Sequence, residues 1–221
     1  MTDYYKISLE FLGQILKEEG QDFWANWMLE DIKLWETNKS VEHHLHAYGG
    51  MGSFNDIFIG NNDTEGLWKS RVFGSFQTLA YSLAKGNTFK LTLKESFSQS
   101  PNYVISGWRC RNCGDAKITS RDIEICVSSI FTPKLFVEFL QEDKLSTLLR
   151  VDEIITSEPV KQKRQAIESL ARNMNINVAS DSNWWWTCPK CASDETCAYR
   201  WVLVDGETRL IEADDNLEIK K

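Results

Sequence analysis

The sequence predicts an α+β fold in which an α-helical N-terminal domain precedes a β-rich subdomain with a helical insert. Apolar residues recur at helical spacing through most of residues 4–84, whereas period-two alternation and paired cysteines follow only after residue 86. A hydrophobic content of 42% over 221 residues is sufficient for a buried core, and the length fits two small domains better than one.

Four helices are expected in the N-terminal half. Two amphipathic segments, 4–18 and 22–37, are separated by Gly20 and should pack on each other. Further helices are expected over 40–48 and over 64–84, the last one ending at Gly86. Asp31 lies on the aromatic stripe of the second segment, where a buried carboxylate would need a partner. We favour a solvated Asp31 over a functional one.

The C-terminal half mixes strands with helices. Alternation begins at Asn87, which predicts a domain boundary within 86–100, and helices are expected over 133–150 and 158–174. Asp205-Gly206 separates two β-prone runs and predicts a hairpin. We therefore expect domains at 1–86 and 87–211, the second with a helical insert at 133–175, and a flexible tail at 212–221.

The composition of the chain disfavours several classes of function. The chain has 25 basic and 32 acidic residues, a net charge of -7, which disfavours a protein that coats nucleic acid or an anionic membrane. No apolar run approaches the roughly 20 residues of a membrane span, and the start lacks the features of a signal peptide. We expect a cytoplasmic protein, in which six reduced cysteines favour metal binding over disulfides.

The pattern W-x-C-x-x-C occurs twice, at residues 108–113 and 186–191. Four thiolates at these spacings can close a tetrahedral shell around Zn²⁺, so the predicted ligands are Cys110, Cys113, Cys188 and Cys191. A redox dithiol, rubredoxin-type iron and the absence of a metal are weaker alternatives. A catalytic zinc is disfavoured because all three histidines lie in the other half of the chain.

Two cysteine turns followed by a hairpin resemble a zinc ribbon. The sequence departs from that family because 74 residues separate Cys113 from Cys188. Closing so long a loop adds only about 0.6 kcal/mol per doubling of length, which zinc binding easily exceeds. Cys126 and Cys197 could compete for ligand positions, although single cysteines are more often buried apolar residues.

Residues 43–56 combine three histidines with a glycine-rich turn. The structural interpretation is a tight turn in which Ser53 and Asp56 have the spacing of a helix-start box. One functional alternative is an anion-binding nest of consecutive backbone N–H groups, with His43 or His46 nearby. Another is an enzyme site centred on His43, His46, Asn55 and Asp56.

Residues 47–56 carry the pattern G-G-M-G-S-x-N-D and resemble an uncharacterised bacterial domain family over about residues 1–85. The resemblance implies no established activity. By analogy of size and acidity with immunity proteins and other components of conflict systems, it implies a binding role.

These observations favour a non-catalytic, zinc-binding bacterial protein that acts through protein–protein interaction, as an immunity or defence component. The acidic charge and nine tryptophans suit a basic protein partner. One alternative is nucleic-acid binding by the zinc domain, and a second is an enzyme with a site near His46 and Asp56. The nucleic-acid alternative would use Trp184, Trp185 and Trp186 for stacking and the cations Arg109, Arg111, Lys117, Lys190 and residues 161–164. The oligomeric state is left open.

Overall fold

The computed structural model describes residues 3–87, 103–129, 150–179, 186–204 and 207–212. The chain forms two compact units, unit 1 within residues 1–92 and 131–157 and unit 2 within residues 93–130 and 158–221. Helices dominate unit 1 and strands enter in unit 2, which confirms the α+β fold. The alternation after Asn87, the helix over 133–150 except its last residue, and the tail from 213 lie outside the described residues. The predicted domain limits stay predictions.

The described helices are numbered in chain order. They are α1 (Tyr4–Glu18), α2 (Asp22–Asn38), α3 (Glu42–His46), a 3₁₀ helix (Phe54–Asp56), α4 (Thr64–Ala84), α5 (Ser120–Ser129), α6 (Val151–Thr156) and α7 (Glu158–Asn173). The strands are β1 (Tyr103–Cys110), β2 (Ala116–Thr119), β3 (Asn177–Ala179), β4 (Thr196–Val204) and β5 (Glu207–Glu212). None of the helices in the described ranges has the length and apolar character that crossing a membrane requires.

Unit 1 is built on α1, which packs against both α2 and α4. The carboxylate of Asp3 caps α1 by accepting from the N–H of Lys6, and Asp63 caps α4 by accepting from the N–H of Gly66. Both helices have the bounds that the apolar periodicity predicts. The facing sides of α1, α2 and α4 form a core from which water is excluded, made of Leu9, Phe11, Leu12, Ile15, Leu16, Met28, Trp68, Val72, Phe76 and Leu79.

Unit 2 is organised by a five-stranded sheet in the order β3-β2-β1-β4-β5 among the described residues. β2 and β3 pair in parallel, and the other neighbours pair antiparallel. The hairpin predicted around residues 205–206 is confirmed because Val204 of β4 pairs with Glu207 of β5. Three elements of this unit, β2, β3 and α5, were not expected from the sequence.

Candidate metal centre

The first cysteine pair forms a tight turn at the end of β1, which we call the first knuckle (residues 110–115). The N–H of Cys110 donates to the carbonyl of Asp115 over 2.8 Å, and the N–H of Gly114 donates to the carbonyl of Cys110 over 2.9 Å. Gly114 has a φ of 75°, a left-handed conformation that glycine adopts without the steric strain other residues incur.

The second pair forms a matching turn, the second knuckle (residues 188–193). The N–H of Cys188 donates to the carbonyl of Ser193 over 2.7 Å, and the N–H of Ala192 donates to the carbonyl of Cys188 over 2.8 Å. Ala192 has a φ of 55° at the position that Gly114 occupies in the first knuckle. A non-glycine residue in this conformation indicates that the surrounding structure imposes the turn.

The pairing of β1 with β4 brings the two knuckles together. Cys110, the last residue of β1, pairs with Thr196, the first residue of β4, and the N–H of Arg111 donates to the carbonyl of Glu195 over 2.9 Å. The second knuckle ends just before this point in the chain. The sheet therefore bridges the 74 residues between Cys113 and Cys188 that set this chain apart from an ordinary zinc ribbon.

The four sulfurs meet between the knuckles. The Sγ atoms of Cys110 and Cys191 lie 3.6 Å apart, as do those of Cys113 and Cys188, and all four Sγ atoms lie within 4.8 Å of one another. Tetrahedral Zn–S bonds of about 2.3 Å would place sulfurs about 3.8 Å apart. The four cysteines could therefore hold one metal ion, and they form the one such group in the part of the chain that the structure describes.

The sulfurs differ in acidity. The N–H of Asp115 lowers the pKa of the Cys113 thiol, but desolvation and the three neighbouring sulfurs raise it to about 12. The N–H of Ser193 lowers the pKa of the Cys191 thiol to about 7. Thiolates crowded together repel one another, so a cation at their centre would favour the deprotonated form of all four.

Polar side chains extend from each knuckle to the other. The Nδ2 of Asn112 lies 3.6 Å from the Sγ of Cys191, and the Nζ of Lys190 lies 3.9 Å from the Oδ1 of Asp115. Asn112 and Lys190 occupy the same position within their C-x-x-C pairs. The contact of Asn112 orients a sulfur, and Lys190 places positive charge near a centre that would be anionic if the four thiolates held a divalent metal.

The other two cysteines do not join the tetrad. Cys126 is buried in α5, where desolvation raises the pKa of its thiol to about 11. Cys197 lies on β4 with its Sγ 3.7 Å from the carbonyl oxygen of Arg109. Neither belongs to the metal-competent group in the described residues.

Some of the cations named for nucleic-acid binding are engaged within the fold. Lys117 on β2 is 1% exposed. Arg164 on α7 forms an ion pair with Glu124 of α5, and the guanidinium of Arg109 lies 5.6 Å from the ring centroid of Tyr199. This distribution weakens the basic surface that the sequence suggested.

Asp31 is buried, which contradicts the solvated position that we favoured from the sequence. It is 1% exposed, and its two carboxylate oxygens bind two imidazoles, with Oδ1 2.6 Å from the Nδ1 of His43 and Oδ2 2.8 Å from the Nδ1 of His44. The Nε2 of His44 lies 3.2 Å from the hydroxyl of Tyr48, which also lies 3.2 Å from the carbonyl of Gln77. This chain of hydrogen bonds links α2, α3 and α4.

Asp56 has a structural role in the glycine turn. Its Oδ2 accepts from the N–H groups of Gly52, at 2.8 Å, and Ser53, at 3.2 Å. The structure thus engages Asp56 with the turn and His43 with Asp31, while His46 is exposed. The site proposed from His43, His46, Asn55 and Asp56 gains no support from these contacts.

No curated protein and no solved structure matches the chain. A family model matches a part of the N-terminal half: residues 17–66 are similar to the family described as Domain of unknown function (DUF6966). The matched segment contains α2, α3 and the glycine turn, and it is shorter than the 1–85 expected from the resemblance. Over this segment the match agrees with the expected likeness to an uncharacterised domain family.

Proposed function

We propose that this chain is a non-catalytic zinc-binding bacterial protein that acts through protein–protein contacts. The observation that carries the zinc assignment is the pair of 3.6 Å Sγ contacts between two knuckles of matching backbone geometry. Zinc suits four thiolates in a tetrahedral shell, and such a shell leaves no coordination position for a substrate. The metal would therefore stabilise unit 2 without taking part in a reaction.

The likeness to a zinc ribbon supports this assignment. The first knuckle connects the antiparallel strands β1 and β2, and the second knuckle leads into β4, which pairs with both β1 and β5. Each cysteine turn is thus attached to antiparallel strands, as the resemblance implies. The segment between the knuckles, which contains α5 and α7, is an insertion relative to that family.

Cobalt(II) substitution tests the coordination. Protein stripped of metal and reloaded with Co²⁺ should show the intense visible absorption of a tetrahedral tetrathiolate, because four sulfurs form the shell. Cys113→Ser should weaken and shift this spectrum, because only three sulfurs remain, and Cys197→Ser should leave it unchanged. If the purified protein had the spectrum of rubredoxin-type iron, the assigned metal would be iron and not zinc. If the protein took up no metal at all, the assignment of a metal site would be contradicted.

The protein–protein role is supported by exposed apolar side chains on an acidic molecule. Met51, Phe58, Phe23 and Trp186 are exposed by 103%, 88%, 66% and 78%, respectively. Exposed aromatic residues serve as anchors in interfaces, and a net charge of -7 favours a basic partner. The proposal of an immunity or defence component rests on the analogy of size and acidity with such proteins.

The partner is best sought in the adjacent gene. We expect the tagged protein to co-purify with the product of that gene when the two are expressed together, and we expect the neighbour to encode a toxin or defence protein. An unrelated tagged acidic protein serves as the control. Repeated failure to form a complex, combined with tight binding of oligonucleotides, would instead favour the nucleic-acid alternative.

A further inference from the structure

We infer that the groove between α1 and α2 binds a basic amphipathic helix of a protein partner. The inference rests on the proposed protein–protein role and adds the surface and the chemistry of the partner. The groove has a volume of about 480 Å³ and lies entirely within unit 1. Small residues, Gly13 of α1 and Ala25 of α2, are part of its lining. A Cβ added at Gly13 would lie 3.5 Å from the Cβ of Met28, so the helices approach closely beneath the groove.

The groove has an apolar wall that unit 1 does not cover. Leu29 of α2 lines it and is 59% exposed, and Ile32 lies one turn further along the same helix. Residues at this spacing share a helix face. A partner helix with apolar side chains at i, i+3, i+4 and i+7 could pack on this face and remove it from water.

The charge around the groove selects a basic partner. Residues 3–38, which contain α1 and α2, include eight acidic and three basic side chains, a net charge of -5 in a chain of net charge -7. Two of the three lysines already form ion pairs, Lys6 with Glu36 at 2.5 Å and Lys33 with Glu30 at 3.6 Å. The third, Lys17, lines the groove together with Glu10 and Asp22, so two of the three charged side chains in the lining are acidic. Lysines and arginines that flank the apolar stripe of a partner helix would complement this field, whereas an acidic helix would be repelled.

The test uses a Leu/Lys amphipathic helical peptide as the probe, with a Leu/Glu peptide of the same spacing as its control. Binding to the full-length, metal-loaded protein is followed by two-dimensional NMR. We expect saturable shifts confined to α1 and α2 with the Leu/Lys peptide and none with the Leu/Glu peptide. Leu29→Lys should weaken binding at least about tenfold, because it places a positive charge in the apolar wall, where it also repels the lysines of the peptide. Ile125→Lys, at an exposed apolar residue of unit 2 that does not line the groove, should leave binding unchanged.

Shifts outside α1 and α2, equal binding of the two peptides, or unaltered binding by Leu29→Lys would overturn the inference. Circular dichroism checks that Leu29→Lys remains folded, and Asn26→Lys at the same groove provides a second variant that should weaken binding. If the peptide fails to bind while the neighbouring gene product still co-purifies, the groove inference fails and the proposed function stands. If the peptide binds but no protein partner is found, the proposed function loses support and the inference about the groove stands.

Discussion

The Nδ1 of His44 lies 2.8 Å from the Oδ2 of Asp31, and both side chains are buried, with exposures of 0% and 1%. A carboxylate in apolar surroundings is costly unless hydrogen bonds satisfy its oxygens. Here His43 binds the other oxygen, and its ring stacks on Trp27 at a centroid distance of 4.2 Å. The contact therefore fixes α3, and with it the start of the glycine turn, against α2.

Asp31→Asn should destabilise unit 1. An asparagine retains one acceptor oxygen but directs an NH₂ group at an imidazole nitrogen, so one buried hydrogen bond is lost. We expect the free energy of unfolding to fall by about 1–3 kcal/mol, measured by urea unfolding with tryptophan fluorescence. Glu30→Gln, at an exposed carboxylate of the same helix, is the control and should change it by less than about 0.5 kcal/mol. Equal effects of the two variants would contradict the structural role of Asp31.

Two tyrosines should reduce the stability of unit 1 at alkaline pH. Desolvation, and then the negative charge of Asp31, raise the pKa of Tyr5 and of Tyr48 above the ordinary value of 10.0. Their contribution to stability is complete below pH 10 and is lost as the pH rises, because the unfolded chain ionises first. We expect the free energy of unfolding to decrease above about pH 10, as measured by urea unfolding at a series of pH values.

Phenylalanine variants separate the two tyrosines. The hydroxyl of Tyr5 is buried without a hydrogen-bond partner among the described residues, so Tyr5→Phe should leave stability at pH 7 unchanged or higher and reduce the alkaline loss. Tyr48→Phe also removes the hydrogen bond to the carbonyl of Gln77, and it should lower stability at pH 7 by about 1 kcal/mol. An alkaline loss that persists in the double variant would show that other groups cause it.

Gly50→Val should destabilise unit 1 through the backbone alone. Gly50 has a φ of 91°, and a Cβ at this position would meet no heavy atom within 4 Å. The penalty is therefore conformational, and we expect a loss of more than about 1 kcal/mol in thermal unfolding. Met51→Val is the matched control, because Met51 is fully exposed and does not have a positive φ. An unchanged melting temperature for Gly50→Val would argue against this account of the turn.

Much of unit 1 could be predicted from local patterns. The bounds of α1 and α4 follow from apolar periodicity together with their terminal signals, since Gly20 and Gly86 both have positive φ beyond the helix ends. The role of His44 could not be predicted in the same way. The sequence placed Asp31 on an apolar stripe, but which of three neighbouring histidines would face it depends on how α3 packs on α2. A carboxylate that needs a partner, close in sequence to the only histidines of the chain, was the available signal.

In unit 2 the cysteine spacing predicted the cluster of four side chains that the structure contains, whereas strands β2 and β3 were not predicted. Residues 116–119 are buried throughout, so β2 shows no alternation, and β3 has only three residues. Their parallel pairing joins segments about 60 residues apart, which no local pattern reveals. The start of α5 did carry a signal, because Asp122 accepts from the N–H of Thr119 and Thr119 accepts from the N–H of Asp122, a reciprocal cap.

Nucleic-acid binding should be weak. Trp186 is exposed two residues before Cys188, and an exposed ring can stack a base for about 1–3 kcal/mol. The acidic charge of the chain opposes a phosphate backbone, so we expect no duplex binding at near-physiological salt. Fluorescence titration with short single-stranded and duplex oligonucleotides measures the affinity for each form. If the protein bound with sub-micromolar, salt-sensitive affinity and Trp186→Ala abolished this binding, the nucleic-acid alternative would be favoured over the protein–protein proposal.

The metal content of the purified protein tests the central claim most directly. Two knuckles that close one tetrathiolate shell should retain one zinc ion per chain, measured by inductively coupled plasma mass spectrometry against protein concentration. The double variant Cys110→Ser with Cys188→Ser, which removes one sulfur from each knuckle, should lose the zinc, and Cys197→Ser on β4 should keep it. One zinc per chain in the wild type and none in the double variant is the expected result, whereas full zinc retention by the double variant, or a wild type free of both zinc and iron, would contradict the account.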